Sequence, residues 1–477
     1  MGEKKLNGIK KFAKSSAIFF IGNALSKLTV FLLLPLCTRT IDPQDYGYYD
    51  LSVTYIAIVI YILFFEIWTT IMRYMCEKED EVYKQTTIKS GLMIFAFSSI
   101  AYFSIGAVLL CFFKIKAMEL ILLYGITHNI QQIYTYVARG YKEDILFAIS
   151  GIVNAVVMVG LDLVLILAVG IGYKALYISY AAGNIVQALI IESKLHVIGN
   201  SIKVKSDNQL TKKMLIYSLP LAVNSVAYWL LTSYNRMVIS NTLTLADNGL
   251  FAVGSKFGAM MNLITTCFNF ALQDFSFSRS SDDSGNGKFF SNACQKYMEL
   301  LLAGLIILVP CCKIAFSILV GIDYADVMTT IPLFLFVSAL NAYSTFVGNI
   351  FCALKDTKSI FVSMLIACMC NLAMCNSLIS RIGIAGANIS MIISFIVDIT
   401  IRTLLLRKRI GLQLNLTVPL IMIIVLAGNY LCYIFCPIVI SAILLVAEGL
   451  VLAVFFREYI FSILPKCIRK TNKKVQN

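Results

Sequence analysis

Fourteen stretches of this chain are apolar for about 20 residues each, the length a helix needs to cross roughly 30 Å of hydrocarbon. They fall at 16–36, 48–72, 89–112, 117–138, 147–170, 174–193, 214–238, 248–273, 296–319, 327–353, 359–380, 384–405, 415–436 and 438–460. Hydrocarbon offers no water to an exposed peptide group, so each stretch must satisfy its own N–H and C=O groups, and that predicts helices. Short segments of alternating polarity, the signature of a membrane barrel, do not occur in the sequence. With 59% of its residues hydrophobic, against about 45–50% in soluble domains, the chain reads as an all-α polytopic membrane protein. The first stretch is too long for the core of a secretory signal and has no small-residue cleavage site, so it is expected to stay as a spanning helix.

A net charge of +14 would suggest nucleic acid if it were gathered on one soluble face. Its distribution points elsewhere. With the N-terminus inside, 31 of the 40 Lys and Arg residues fall in inside segments and five (Arg39, Lys114, Lys116, Lys174 and Arg381) in outside loops. The other four, Lys27, Arg236, Lys256 and Lys313, lie within spans. Such a bias follows the positive-inside rule, so both termini are expected in the cytoplasm and no nucleic-acid partner is expected. The fourteen cysteines lie mostly in apolar runs, without C-x-x-C spacing and with only two histidines beside them. They read as small packing groups, and neither a metal nor another cofactor is expected.

Two polar knots interrupt the apolar pattern, "TRTIDPQDYGYYDL" from Thr38 and "SNTLTLADNGLFAV" from Ser240. In each, an oxygen-bearing cap is followed three residues later by a carboxylate: Asp42 (with Pro43 at the first helical position) and Asp45, then Thr244 and Asp247. The same 202-residue offset pairs Lys10-Lys11 with Lys212-Lys213, Ser16 with Ser218, Leu28 with Leu230, Thr40 with Thr242, Asp45 with Asp247 and Gly47 with Gly249. Six spans separate the copies, and an even number returns the chain to the same side, so the halves are expected to be parallel repeats. The expected division is a six-helix lobe over 1–198, an inside linker over 199–213 and a second six-helix lobe over 214–410. Residues 411–477 would supply two additional helices and a basic tail.

At the first repeat, "GNALSKLTVFLLLPLCTRTIDPQDYGYYDL" resembles the N-terminus of the Wzx-type polysaccharide flippases, members of the multidrug/oligosaccharidyl-lipid/polysaccharide (MOP) exporter superfamily. "YNRMVISNTLTLADNGLFAVGSKF" is similar to the seventh and eighth spans of that family, and "ARGYKEDILFAIS" to its inside loop between the fourth and fifth. The layout matches over about residues 8–410. Relatives often carry Asp-Arg late in the seventh span. This chain has Asn235-Arg236, which leaves the arginine without an adjacent carboxylate. The resemblance implies two MATE/MOP-like lobes and export of O-antigen or capsular repeat units across the bacterial cytoplasmic (inner) membrane. The implied cargo is an undecaprenyl-pyrophosphate-linked oligosaccharide, and membrane lipids and other polysaccharide-assembly proteins are the implied partners.

A charge at the bilayer centre costs about 2.5–3.5 kcal/mol on insertion scales, so cations inside spans normally face a cavity or a partner. Lys27 sits mid-span with Asn23 one turn before it. Arg236 ends the stripe Asn224, Tyr228, Thr232 and Asn235/Arg236 in span seven, and Lys256 follows in span eight. Because a diphosphate needs charge-assisted donors to leave water, Asn23, Lys27, Asn235, Arg236 and Lys256 form the expected substrate set. Snorkelling towards a span end is the plainer alternative for Arg236 and Lys256, and Lys313 is expected to snorkel outwards.

Glu66, deep in span two, can pair with a cavity cation or carry a coupling proton, and His128 belongs to a polar face of span four with Asn129, Gln131, Gln132 and Thr135. Hydrogen bonds between helices are the favoured role for that face, with sugar contacts the alternative. Asn341, Thr345 and Gly348 fit either a cavity wall or close helix packing, and Asp162, Asp398 and Glu448 read as structurally paired charges.

Two rival functions remain. A cation-coupled multidrug exporter on the same fold would want a carboxylate-lined site, whereas the matched helices carry cations. An integral-membrane glycosyltransferase or polymerase would need catalytic groups outside the membrane, and the outside connections are short and hold no carboxylate pair. No G-x-x-x-x-G-K-[ST] loop is present to use ATP.

Overall fold

The computed structural model describes residues 33–278, 286–354 and 356–455. Asn23 and Lys27, with nearly all of the first span, lie outside the described residues. Each of the other thirteen expected spans is helical over most of its described residues, and ten helices among them are by length and composition able to cross a membrane.

Among the described residues the first half opens with α1 (Leu34–Thr40), α2 (Pro43–Phe64) and α3 (Ile67–Met75). It continues through α4 (Glu81–Phe112), α5 (Met118–Gly140), α6 (Asp144–Leu163) and α7 (Lys174–Leu195). A short helix, α8 (Val197–Lys203), leads to the second half, which opens with α9 (Asn208–Thr232), α10 (Tyr234–Thr242) and α11 (Leu245–Ser278). It closes with α12 (Asn286–Leu319), α13 (Ile331–Ala353), α14 (Thr357–Ile382) and α15 (Ile384–Ile410). Two further helices, α16 (Thr417–Phe435) and α17 (Ile438–Phe455), pack against α12. The result is an all-α multi-pass membrane protein of two parallel halves with an appended helix pair.

Two spans expected to be continuous are broken. Span two stops at Phe64 and resumes at Ile67, because Phe65 and Glu66 both take left-handed backbone (φ 52° and 50°). Neither residue is Gly or Asn, so the break costs conformational energy and leaves no mark in the sequence. Span seven breaks at Ser233, between α9 and α10.

Both helix caps read from the knots are present. Asp42 accepts from the Gln44 N–H at 2.8 Å at the start of α2. At α11 the exchange is reciprocal: Thr244 N–H and hydroxyl donate to Asp247 (3.0 and 2.6 Å), and Asp247 N–H donates to the Thr244 hydroxyl (3.1 Å). Around these turns the halves close on each other. Asn248 donates to the Gly47 carbonyl at 2.8 Å, Arg39 to that of Ile318 at 2.7 Å, and Tyr324 hydroxyl to that of Ile41 at 3.0 Å.

Deeper in the bundle, α9 follows the broken span. Trp229 donates its indole N–H to the Thr54 carbonyl at 3.1 Å, and Ser225 hydroxyl donates to Glu66 at 2.5 Å.

Candidate functional site

Below the closed turns, three charged side chains from three helices meet between the halves. Asp50 lies two turns into α2, Arg236 near the start of α10, and Lys256 three turns into α11. Arg236 Nε donates to Asp50 Oδ2 at 2.7 Å, and both side chains are largely buried, at 16% and 18% exposure. The guanidinium lies 5.2 Å from the Phe251 ring centre, and its Nη2 reaches Ser255 only at 3.5 Å. One of its five donors is therefore well used. Lys256, half-buried, has no hydrogen-bond or ion-pair partner among the described residues.

The ion pair stands between two cavities. One, of about 210 Å³, is walled by Tyr49, Asp50, Tyr124, Asp162, Tyr180 and Lys256, with Cys37 at its edge. The other, of about 140 Å³, is walled by Tyr228, Thr232, Arg236, Phe251, Ser255 and Asn341. Both fall below the roughly 300–1,000 Å³ of ordinary ligand pockets, so a large headgroup enters only if the halves part.

No family model matches the sequence, and no curated protein matches it either. Solved structures do match. The chain is similar to the lipid II flippase MurJ in an inward closed conformation, with 15% identity, TM-score 0.67, and 94% of this chain and 100% of that one covered. It is also similar to a multidrug resistance MATE family transporter of the MOP superfamily, seen inward-facing (11% identity, TM-score 0.63, 83% of this chain and 94% of that one). An outward-facing MATE structure matches at 12% identity and TM-score 0.60, covering 84% and 95% of the two chains. The fold is that of the MOP transporters.

Within this MOP fold the expected site residues separate. Arg236 and Lys256 come together with Asp50. Sequence reasoning passed over Asp50, although a carboxylate two turns inside an apolar helix was a signal of the kind that singled out the cations. Asn235, grouped with them on sequence, turns away and lines neither cavity. It is fully buried, donates to the Ala387 carbonyl at 3.1 Å, and accepts from Asn371 at 3.2 Å and from the Cys375 thiol at 3.0 Å. These contacts pack α10 against α14 and α15.

His128 reaches the first cavity only through Tyr180, whose hydroxyl lies 2.8 Å from its Nδ1 and whose ring stacks on Tyr124 at 4.1 Å. Further along the same face of α5, Gln131 donates to Gln187 at 2.9 Å, a contact between helices. Glu66 lines neither cavity and sits at the break in span two, held by Ser225 of the other half.

Of the three carboxylates expected to be structurally paired, Asp398 alone makes an ion pair among the described residues, Asp162 accepts from a neutral hydroxyl, and Glu448 Oε2 has no hydrogen-bond partner there. Asp398 pairs with Arg402 at 3.1 Å, and Arg402, expected in an inside segment, is buried among Ser344, Ser363 and Asp398. Ser179 donates to Asp162. In span ten both open alternatives occur: Asn341 lines the second cavity, while Gly348 packs against the Arg402 guanidinium. Lys313 does not snorkel outwards. It is buried and donates to the carbonyls of Tyr433 and Cys436 (2.5 Å each), where the last turn of α16 leaves acceptors free.

Proposed function

We propose that this chain is a flippase that moves an undecaprenyl-pyrophosphate-linked oligosaccharide repeat unit from the inner to the outer leaflet of the bacterial cytoplasmic membrane. O-antigen or capsular polysaccharide assembly would receive the product. The observation that carries this reading is the placing of Arg236 and Lys256 together between the halves, at the wall of two cavities, with Lys256 lacking a described partner. Burying a cation without an anion is costly, and a diphosphate entering between the halves would supply that anion.

In this reading the bias of Lys and Arg places the Ile41–Tyr46 and Thr244–Asn248 loops outside and both termini in the cytoplasm. The headgroup enters the space between the halves from the cytoplasm, the polyprenyl tail stays in lipid, and rocking of the halves exposes the headgroup outside. The lipid II flippase MurJ supports a lipid-linked cargo on this fold. Lys27 and Asn23 are proposed to complete the set of cations and donors, residues 199–213 to link two lobes over 1–198 and 214–410, and Glu66 to serve coupling. Deleting the gene and extracting lipids tests the reading: a lipid-linked oligosaccharide should accumulate on the cytoplasmic side, and its absence contradicts it.

A second reading is favoured by one observation. Asp50 and Asp162 give the first cavity two carboxylates, which suits a cation-coupled multidrug exporter on the same fold. Drug accumulation in cells with and without the chain separates the two, since a flippase of this kind leaves it unchanged.

A further inference from the structure

The arginine that would hold the substrate diphosphate is not waiting empty. Asp50 of the first half already occupies Arg236 of the second, 186 residues away, and lies beside Lys256. Asp50 contacts only Nε of a guanidinium built for paired contacts, and leaves Lys256 without an ion-pair partner among the described residues. A diphosphate carries more negative charge and more acceptor oxygens than a carboxylate, so it can engage the unused donors of Arg236 and Lys256 together.

The same pair is also a joint. Asp50 rides on α2 and Arg236 on α10, and directly above them lie the contacts that close the turn end: Asn248 to Gly47, Arg39 to Ile318 and Tyr324 to Ile41. Cys37, at 4% exposure, lies beneath this closure at the edge of the Asp50 cavity.

We propose that Asp50 is an internal stand-in for the substrate anion, and that exchange of Asp50 for a diphosphate on Arg236 and Lys256 releases the turn end. The proposal rests on the flippase reading and deepens it, because it says how substrate binding leads to opening. An ion pair bridging two bodies favours the state in which they touch. A ligand that binds Arg236 only when Asp50 has left it favours the open state by that difference in affinity. An empty transporter thus stays closed at this end, and substrate undoes the closure.

Native Cys37 supplies the reporter. In a chain whose other thirteen cysteines are replaced by Ala or Ser, shown first to export, the rate of maleimide addition to Cys37 in the detergent-solubilised protein reads opening. Inorganic pyrophosphate, the probe, should speed labelling at least tenfold. Asp50→Asn should label at least tenfold faster without pyrophosphate, respond little to it, and bind it more tightly because the internal competitor is gone. The exchanged pair Asp50→Arg with Arg236→Asp should return labelling to the slow parental rate, which an unfolded protein would not do.

Slow labelling of Asp50→Asn, no effect of pyrophosphate on the parent, or fast labelling of the exchanged pair each overturns the proposal. Those results leave the flippase reading standing if the cation variants still lose export. Normal export by those variants removes the flippase reading itself.

Discussion

Gly47 and Gly249 meet where α2 and α11 cross, and the contact is reciprocal. A Cβ on Gly47 would lie 1.8 Å from the Leu245 carbonyl oxygen, and a Cβ on Gly249 would lie 2.1 Å from that of Pro43. Pro43 and Leu245 are themselves 202 residues apart, as are the two glycines. Such an exchange, in which each glycine touches the counterpart of its own neighbour, is what a twofold axis between two parallel copies produces. The sequence repeat and the backbone crossing are thus the same relationship seen twice.

Any side chain at either glycine must move backbone, since the obstructing atom is a carbonyl oxygen in both cases. Gly47→Ala and Gly249→Ala should each destabilise the closed form by about 1–3 kcal/mol, and by similar amounts. Gly160→Ala, whose Cβ meets nothing within 4 Å, is the control. Thermal unfolding of the solubilised protein checks this. Equal midpoints for all three variants would show that the halves are not held at this crossing.

Lys313 ties the added helix pair to the body of the fold through the carbonyls at the end of α16. Lys313→Met keeps the stem but leaves those acceptors bare. We expect it to cost about 1.5–3 kcal/mol, the range for hydrogen bonds to a charged group. Limited proteolysis between 411 and 416 should quicken in the variant, while parental cleavage rates would contradict the tether.

At the loop between α3 and α4, Glu79 accepts from Lys142 at 2.6 Å and Lys84 at 2.9 Å, and these hydrogen bonds, Lys142 first, hold its carboxyl down at about 2. A depressed carboxylate stabilises the fold above its ordinary value of 4.5 and loses that effect as pH falls towards 2. The melting-temperature gap between the parent and Glu79→Gln should therefore be constant above about pH 5 and close on acidification below it. A gap that widens as the pH drops would mean the carboxylate is not what stabilises this loop.

The spans were legible because twenty consecutive apolar residues have few other uses. The paired caps were legible because Asp42 and Thr244 act within their own turns. The break at Phe65–Glu66 was not, since neither residue favours left-handed backbone and the group that holds Glu66 there, Ser225, lies in the other half. Asp50 was missed because its partner lies in the other half. The departure from Asp-Arg to Asn235-Arg236 drew attention to a missing neighbour in sequence, while the carboxylate came across the interface. Helical spacing put Asn235 and Arg236 on one stripe, yet adjacent positions point about 100° apart, and that turn sends Asn235 into α14 and α15.

Glu66 joins the backbone break to α9 through Ser225. Glu66→Gln keeps an acceptor for that hydroxyl and removes the charge. We expect unchanged abundance in the membrane and strongly reduced export, as for a carboxylate that carries a coupling proton. Export at the parental level would leave Glu66 a hydrogen-bonding partner of Ser225 alone.

If cations between the halves hold a diphosphate, surface polymer measured against retained lipid-linked intermediate will depend on them. With membrane abundance as control, Lys27→Ala, Arg236→Ala and Lys256→Ala should each lose export, and Lys27→Arg and Arg236→Lys should keep part of it. Each lost contact should weaken binding by about ten- to a hundredfold, or about 1.5–3 kcal/mol. Full export by the triple alanine variant at normal abundance would contradict the account and leave the substrate to be held elsewhere.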